Sequence, residues 1–144
     1  MTVLIDTGVL YADHDTDATR HGAAAAALES VYDGKLGHPY VSDYIFDEAI
    51  TLTRRRTGSF AAAKRLGDRL RGCGEYPRAF EMCHVSPAVF SDAVDAFKRY
   101  DDQALSFTDT TSMVLLDRYG IDRILSFDDD FDGVVDRLDP TTLA

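Results

Sequence analysis

The sequence predicts an α/β fold, a single domain over residues 1–144 built on a central parallel sheet. Short apolar runs alternate with helical segments of ten or more residues, which is the pattern of right-handed crossovers onto a parallel sheet. The 144 residues are enough for one domain with a substantial core, and the 45% hydrophobic content is ordinary for a globular protein.

The first half of the chain opens with a β-branched run at residues 2–5, which predicts a buried strand. An alanine-rich stretch, "DATRHGAAAAALESVYD", predicts a helix from about Asp17 to Asp33. The segment "HPYVS" predicts a second extended piece. Ser42 or Asp43 is then expected to cap a helix that runs to about residue 56.

The second half continues the alternation. Ser59 starts a helix that ends near residue 72, and "FEMCHV" predicts a strand. Ser86 followed by Pro87 marks the start of the next helix. A further helix is predicted from about Thr108 to Tyr119, with a glycine as its stop, and it is followed by the strand "DRILSF" and a short extended piece near residues 134–138.

The charge of the chain is unusual in amount and in residue choice. The formal net charge is −10, with 21 Asp against 4 Glu and 12 Arg against 3 Lys. An acidic, lysine-poor surface stays hydrated in concentrated salt, so we expect a halophilic source. Against this background, the segment from Arg54 to Arg71 contains seven basic residues and one acidic residue, which makes it a candidate RNA-backbone contact or a solvated helix face.

Membrane insertion and secretion are not expected. The chain has no apolar run near the roughly 18 residues that a membrane helix needs, and no basic region precedes Asp6 as in a signal peptide. These features predict a cytoplasmic protein.

The triplet Asp6-Thr7-Gly8 follows the first strand and resembles the loop of an aspartic protease. Such proteases are all-β, and two copies of the loop must meet to share a proton. An α/β chain argues against that interpretation. In an open parallel sheet, ligands bind beyond the carboxyl ends of the strands, and both Asp6 and Asp128 follow strands.

Two further acids are predicted to reach the same edge. Asp109 opens a helix and shares its core-facing stripe with Met113 and Leu116, although a helix cap is an alternative role. Glu48 borders the apolar stripe of its helix, whereas Asp47 is rotated toward solvent. Four carboxylates in one pocket repel each other unless a cation neutralises them, and Mg²⁺ or Mn²⁺ prefers such oxygen ligands.

Four stretches, "LIDTGVLYA", "SDYIFDEAITL", "SFTDTTSMVLL" and "ILSFDDDF", resemble in order and spacing the acidic motifs of PIN-domain nucleases. The likeness is strongest to the VapC-like toxins of toxin-antitoxin pairs, and it covers nearly the whole chain. It implies a three-layer α/β/α fold and metal-dependent endoribonuclease activity, with Mg²⁺ or Mn²⁺ as cofactor. It also implies an RNA substrate, inhibition by an antitoxin and a homodimer.

Carried over by position, the resemblance assigns catalysis and metal binding to Asp6, Glu48, Asp109 and Asp128, with Asp130 as a further ligand. Thr7 matches a small hydroxyl residue that often follows the first acid. Substrate contacts are expected from Thr7 and from the arginines of the basic segment, namely Arg54, Arg55, Arg56 and Arg65.

Two alternatives stay open. A free-standing PIN-type RNA-processing nuclease would share every acid named above. From Asp128 to Asp139 the acids and Gly133 also match the spacing of a calcium-binding helix-loop-helix, although a strand precedes the loop and Pro140 lies too near the end for an exiting helix.

Overall fold

The computed structural model describes residues 1–143 and confirms the α/β prediction. Five parallel strands form one sheet in the order β3-β2-β1-β4-β5. The strands are β1 (Thr2–Ile5), β2 (His38–Ser42), β3 (Glu81–Cys83), β4 (Arg123–Leu125) and β5 (Arg137–Leu138). The central strand β1 pairs with β2 through Leu4 opposite Tyr40, and with β4 through Leu4 opposite Ile124.

Six helices cover this sheet. They are α1 (Thr7–His14), α2 (His21–Tyr32), α3 (Asp43–Thr57), α4 (Phe60–Arg71), α5 (Pro87–Arg99) and α6 (Phe107–Tyr119). Val3 and Ile5 point to one face of the sheet and Leu4 to the other, and all three are fully buried. Both faces are therefore covered, as in the predicted three-layer architecture.

The helix boundaries follow local sequence signals. The hydroxyl oxygen of Ser42 accepts the N–H of Ile45 at 3.0 Å, and that of Ser86 accepts the N–H of Val89 at 3.2 Å. Helix α3 ends at Gly58, whose φ of 66° is a left-handed conformation that favours glycine. The two serine caps are among those that the sequence predicts, and α3 ends within a residue or two of its predicted end.

The N-terminal helical region differs from the prediction. The chain forms a separate helix α1 directly after β1, and α2 begins at His21 rather than near Asp17. Between them, the N–H of Asp17 donates to the side chain of Asp15 at 3.1 Å, and the N–H of Ala18 donates to the carbonyl of Asp15 at 3.0 Å. This turn competes with helix formation, because a local side-chain acceptor offers the backbone another partner.

The segment from Asp128 to Asp139 is not a calcium-binding helix-loop-helix. It follows β4, contains a short 3₁₀ helix at Asp129–Phe131, and returns to the sheet as β5. Both carboxylate oxygens of Asp132 accept hydrogen bonds from the guanidinium of Arg137, at 2.8 and 3.0 Å. The calcium interpretation is therefore wrong for this fold. Among residues 1–143, no helix is long and apolar enough to cross a bilayer.

Candidate metal centre

The centre of the sheet brings the ends of β1 and β4 together. The N–H of Asp6 donates to the carbonyl of Leu125 at 3.0 Å, so the two strands stay paired up to their last residues. The side chains that follow them, Asp6 on one strand and Ser126 on the other, therefore emerge side by side at the carboxyl edge. This is the edge at which open parallel sheets bind ligands.

Helices α3 and α6 bring the other two acids to this edge. Glu48 lies on α3, which packs against both α1 and α6. Asp109 lies in the first turn of α6, where its carboxylate accepts the N–H of Ser106 at 2.9 Å while the Ser106 hydroxyl oxygen accepts the N–H of Asp109 at 3.0 Å. Asp109 thus caps the helix and also faces the site.

The four predicted acids line one cavity of about 660 Å³. The residues that line it are Asp6, Thr7, Gly8, Arg20, Glu48, Ala104, Ser106, Asp109, Ser126, Phe127, Asp128 and Asp129. Asp47, by contrast, is exposed and lies outside it. Among the described lining residues, Arg20 is the one cationic side chain, so the cavity is strongly anionic.

Asp6 lies deepest in this cluster, with 8% of its surface exposed. The pKa of its carboxyl is raised from 3.8 to about 7, mainly by burial and in smaller part by the charges of the nearby Asp109 and Glu48. Hydrogen bonds from the Ser126 hydroxyl at 2.6 Å and the Thr7 N–H at 2.9 Å act in the opposite direction, because they stabilise the ionised form. The hydrogen bonds therefore fix the position of the Asp6 carboxylate, but they do not offset the effect of burial and of the neighbouring negative charges on its pKa.

At Asp109, too, the causes that raise the pKa outweigh the hydrogen bonds that lower it. Burial raises the pKa of this carboxyl above its ordinary value, and the charges of Asp128 and Glu48 raise it further, although the Ser106 hydrogen bonds lower it. Carboxylates that raise one another's pKa across a shared cavity are a set of oxygen donors that a divalent cation would neutralise.

Ser126 connects two of the acids, a role that the sequence analysis missed. Its hydroxyl donates to Asp6, and its oxygen accepts the N–H of Asp128 at 3.0 Å. The carboxylate of Asp128 in turn accepts the N–H of Asp130 at 2.9 Å. The position of Ser126, two residues before Asp128 in the fourth motif, was the signal in the sequence.

The hydroxyl of Thr7 is a further polar group at the acidic cavity. The Oγ1 atom of Thr7 is buried and has no hydrogen-bond partner among the described residues, and Thr7 lines the acidic cavity. Buried polar atoms in folded proteins normally have a partner. Both the donor set and this unpaired hydroxyl fit a hydrated divalent cation.

Asp130 is placed differently from the other predicted ligands. The carboxylates of Asp128, Asp129 and Asp130 offer oxygens within 4.8 Å of one another, but Asp129 rather than Asp130 lines the cavity. The charge of Asp128 raises the pKa of the half-buried Asp130 carboxyl. Asp130 therefore lies beside Asp128 but outside the lining of the acidic cavity.

The predicted substrate arginines are split between the surface and the vicinity of the site. Arg54, Arg55 and Arg65 are exposed on α3 and α4 and do not line the acidic cavity. Arg56 lines an adjoining cavity of about 460 Å³. Arg20 and Phe127 line both cavities and are not among the predicted site residues. Arg20 lies outside the basic segment, and Phe127 stands next to the acids of the fourth motif without being one of them.

This chain belongs to the PIN-domain family, whose sequence model matches residues 3–136. It is 29% identical over 126 residues to "Ribonuclease VapC26" of Mycobacterium tuberculosis, covering 88% of this chain and 86% of that protein. It is 26% identical over 133 residues to a "VapC ribonuclease" of Archaeoglobus fulgidus, covering 91% of this chain and 80% of that protein.

A solved structure supports the same relationship. The crystal structure of Mycobacterium tuberculosis VapC20, described as a "Sarcin-Ricin loop cleaving toxin", superposes with a TM-score of 0.78 at 26% identity. The match covers 92% of this chain and 94% of that one. Fold, motif order and sequence likeness therefore agree on a VapC-like PIN domain.

Proposed function

We propose that this chain is a metal-dependent endoribonuclease and the toxin of a toxin-antitoxin pair. The observation that carries the proposal is the convergence of Asp6, Glu48, Asp109 and Asp128 on one anionic cavity at the carboxyl edge of the sheet. Membership of the PIN family and the likeness to VapC ribonucleases support the nuclease assignment.

Asp6, Glu48, Asp109 and Asp128 would hold Mg²⁺ or Mn²⁺, with Asp130 as a further ligand beside Asp128. Bound there, the ion would neutralise the carboxylates and polarise the scissile phosphate and the attacking water. Hydrolysis adds the water oxygen to phosphorus and breaks the bond to a ribose oxygen, which takes up a proton.

The protein's own groups position this reaction. Asp6 is fixed by Ser126 and Thr7, and Asp109 by Ser106, so these carboxylates are preorganised. The unpaired Thr7 hydroxyl is available to donate to a phosphate oxygen or to the attacking water. Contacts to the RNA backbone would come from the basic segment, where Arg54, Arg55, Arg56 and Arg65 are exposed.

The test uses the purified chain, single-stranded RNA, and Mg²⁺ or Mn²⁺. We expect cleavage with either ion, no cleavage in EDTA, and loss of cleavage in Asp109→Asn and Asp6→Asn variants that keep their circular dichroism spectra. Metal-independent cleavage would point to a contaminating nuclease. Cleavage that survives both substitutions would overturn the site.

The antitoxin assignment is also part of the proposal. A largely apolar cavity of about 420 Å³ lies between Tyr32 at the end of α2, Arg69 on α4 and the loop that contains Tyr76 and Phe80, and it fits apolar side chains of a bound peptide. A small neighbouring gene whose product co-purifies with this chain and inhibits cleavage would support a toxin. A full-activity nuclease with no such partner would instead be the free-standing RNA-processing enzyme.

A homodimer in the cytoplasm is the expected state. Phe90 and Phe97 on α5 are each nearly half exposed and pack edge-on against Phe107, at centroid distances of 5.5 and 5.9 Å. A second copy would bury these aromatic rings. Analytical ultracentrifugation of the wild type and of Phe97→Asp tests this: the wild type should sediment as a dimer and the variant as a monomer.

A further inference from the structure

A second cavity adjoins the acidic one and differs from it in chemistry. It measures about 460 Å³, within the usual range of small-ligand pockets, and shares Gly8, Arg20 and Phe127 with the acidic cavity. Because three residues line both, the two cavities are direct neighbours, and together they are called the groove below. A chain bound across the acids would run directly into the second cavity.

Two arginines lie over two aromatic rings in this second cavity. The guanidinium carbon of Arg20 lies 4.8 Å from the centroid of the Phe127 ring, and that of Arg56 lies 5.8 Å from the centroid of the Tyr11 ring. Leu52 adds apolar surface to the lining. Two arginines and one acidic residue, Asp17, line the cavity, which thus combines a net positive charge with planar and apolar contact area.

Among residues 1–143, three arginines form ion pairs with aspartates, and neither arginine of the second cavity is one of them. Arg69, Arg118 and Arg137 each form an ion pair with an aspartate. Neither Arg20 nor Arg56 takes part in an ion pair within residues 1–143, although the chain has 25 acidic residues. Their charge is therefore available to an anionic ligand.

We propose that the second cavity binds the nucleotide next to the cleaved bond of a single-stranded RNA. Arg20 and Arg56 pair with its phosphate oxygens, and its base stacks on the Arg20–Phe127 pair. Unstacked RNA bases are recognised on aromatic rings and guanidinium planes in this way. This inference rests on the proposed ribonuclease function, and it makes the second cavity the place where the enzyme distinguishes the base next to the cleaved bond.

The geometry favours RNA over a protein ligand because of the continuity with the acidic cavity. A phosphodiester chain brings one phosphate to the acids with their cation and the next to the arginines, so both cavities are filled by one molecule. Two neighbouring sites for phosphate, the acids with a bound cation and the two arginines, match this repeating anion.

The binding test uses the full chain carrying Asp109→Asn, so that RNA stays intact, with fluorescein-labelled poly(A), poly(C) and poly(U) as probes in Mg²⁺. Anisotropy titrations at several KCl concentrations give Kd and its salt dependence. Arg20→Ala and Arg56→Ala should each weaken binding and reduce the slope of log Kd against log salt by about 0.7, the value for one lost single-strand phosphate contact. Phe127→Leu removes one stacking contact, so it should weaken RNA binding about tenfold. It removes no charge, so the slope of log Kd against log salt should stay the same.

Matched controls lie at the other end of α6. Arg118→Ala removes an exposed arginine and Tyr119→Leu removes a half-exposed aromatic ring, and neither residue lines the groove. Both should bind RNA like the parent protein. Thermal unfolding of each variant shows that it is folded.

In the cleavage-competent chain, Phe127→Leu should change which nucleotides flank the mapped cleavage sites, while Tyr119→Leu should leave the pattern unchanged. If the wild type cleaves RNA but the Arg20, Arg56 and Phe127 variants bind and cleave like the controls, the subsite is overturned and the nuclease stands. The same result would follow if the arginines served a protein partner instead. If the wild type cleaves no RNA with either metal, the proposed function itself fails.

Discussion

Replacing Asp6 by asparagine should make the metal-free protein more stable near neutral pH while removing its metal response. The Asp6 carboxyl has 8% of its surface exposed, and its pKa rises from 3.8 to about 7. Because this folded-state pKa lies above the unfolded value, the folded state holds a proton that the unfolded state releases. The stability that protonated Asp6 contributes is therefore fully present below about pH 4 and is lost as the pH rises through about 7.

The size of the effect follows from the shift. At 1.36 kcal/mol per pKa unit, an ionised Asp6 costs about 4 kcal/mol above pH 7 in the absence of metal. Asparagine avoids this cost but keeps only part of the bonding to Ser126 and Thr7, a loss of about 1 kcal/mol. The net gain of about 3 kcal/mol corresponds to roughly 10 °C in Tm for a chain of this length.

The assay is thermal unfolding in EDTA from about pH 4 to about pH 8, repeated with Mn²⁺. We expect Asp6→Asn to melt higher than the wild type at the upper pH and no higher at the lower pH. Mn²⁺ should raise the Tm of the wild type and have little effect on the variant. A stability difference that does not change with pH, or an equal response of both proteins to Mn²⁺, would refute the reasoning.

Three further predictions concern the support of the site, the helix scaffold and the surface. Ser126→Ala should keep the fold but weaken Mn²⁺ affinity and cleavage about tenfold, because the Ser126 hydroxyl orients Asp6 and accepts the N–H of Asp128. Calorimetry gives the Kd for Mn²⁺ and kinetics give kcat/KM. An unchanged Kd would contradict the orienting role. Arg69→Ala should lower the free energy of unfolding in urea by about 3 kcal/mol, because it leaves the mostly buried Asp13 on α1 without its ion-pair partner. Arg55 is exposed, so Arg55→Ala should leave the free energy of unfolding almost unchanged. The net charge of −10 predicts that Tm rises with KCl to molar concentrations, and a Tm that falls over that range would argue against a halophilic protein.

Local signals explain why most helix and strand positions could be predicted. Ser42, Ser86 and the terminal glycines act through contacts within a few residues, so their effect is visible in the sequence itself. Helix α1 escaped prediction because it is eight residues long and contains Gly8 in its first turn. Its formation depends on burying Val9 and Leu10, which is a tertiary contribution.

In the candidate site, the acids could be predicted from local sequence patterns, whereas the residues that orient them could not. The acids were predictable because each follows a strand or lies on the apolar side of a helix. The partners that orient them were not, because Ser126 and Asp6 are 120 residues apart in the chain and meet through strand pairing alone. Arg20 reaches the cavity through the turn before α2, and no periodic pattern marks such a position.

The most direct measurement of the central claim compares two neighbouring acids on α3 in the same RNA-cleavage assay with Mn²⁺. Glu48 lines the acidic cavity and Asp47 is exposed outside it, so the two substitutions change the net charge equally. We predict that Glu48→Gln loses cleavage by at least about a hundredfold in kcat/KM and binds Mn²⁺ more weakly, while Asp47→Asn matches the wild type. Equal activity of the two variants would contradict a metal-dependent nuclease site built on these four carboxylates.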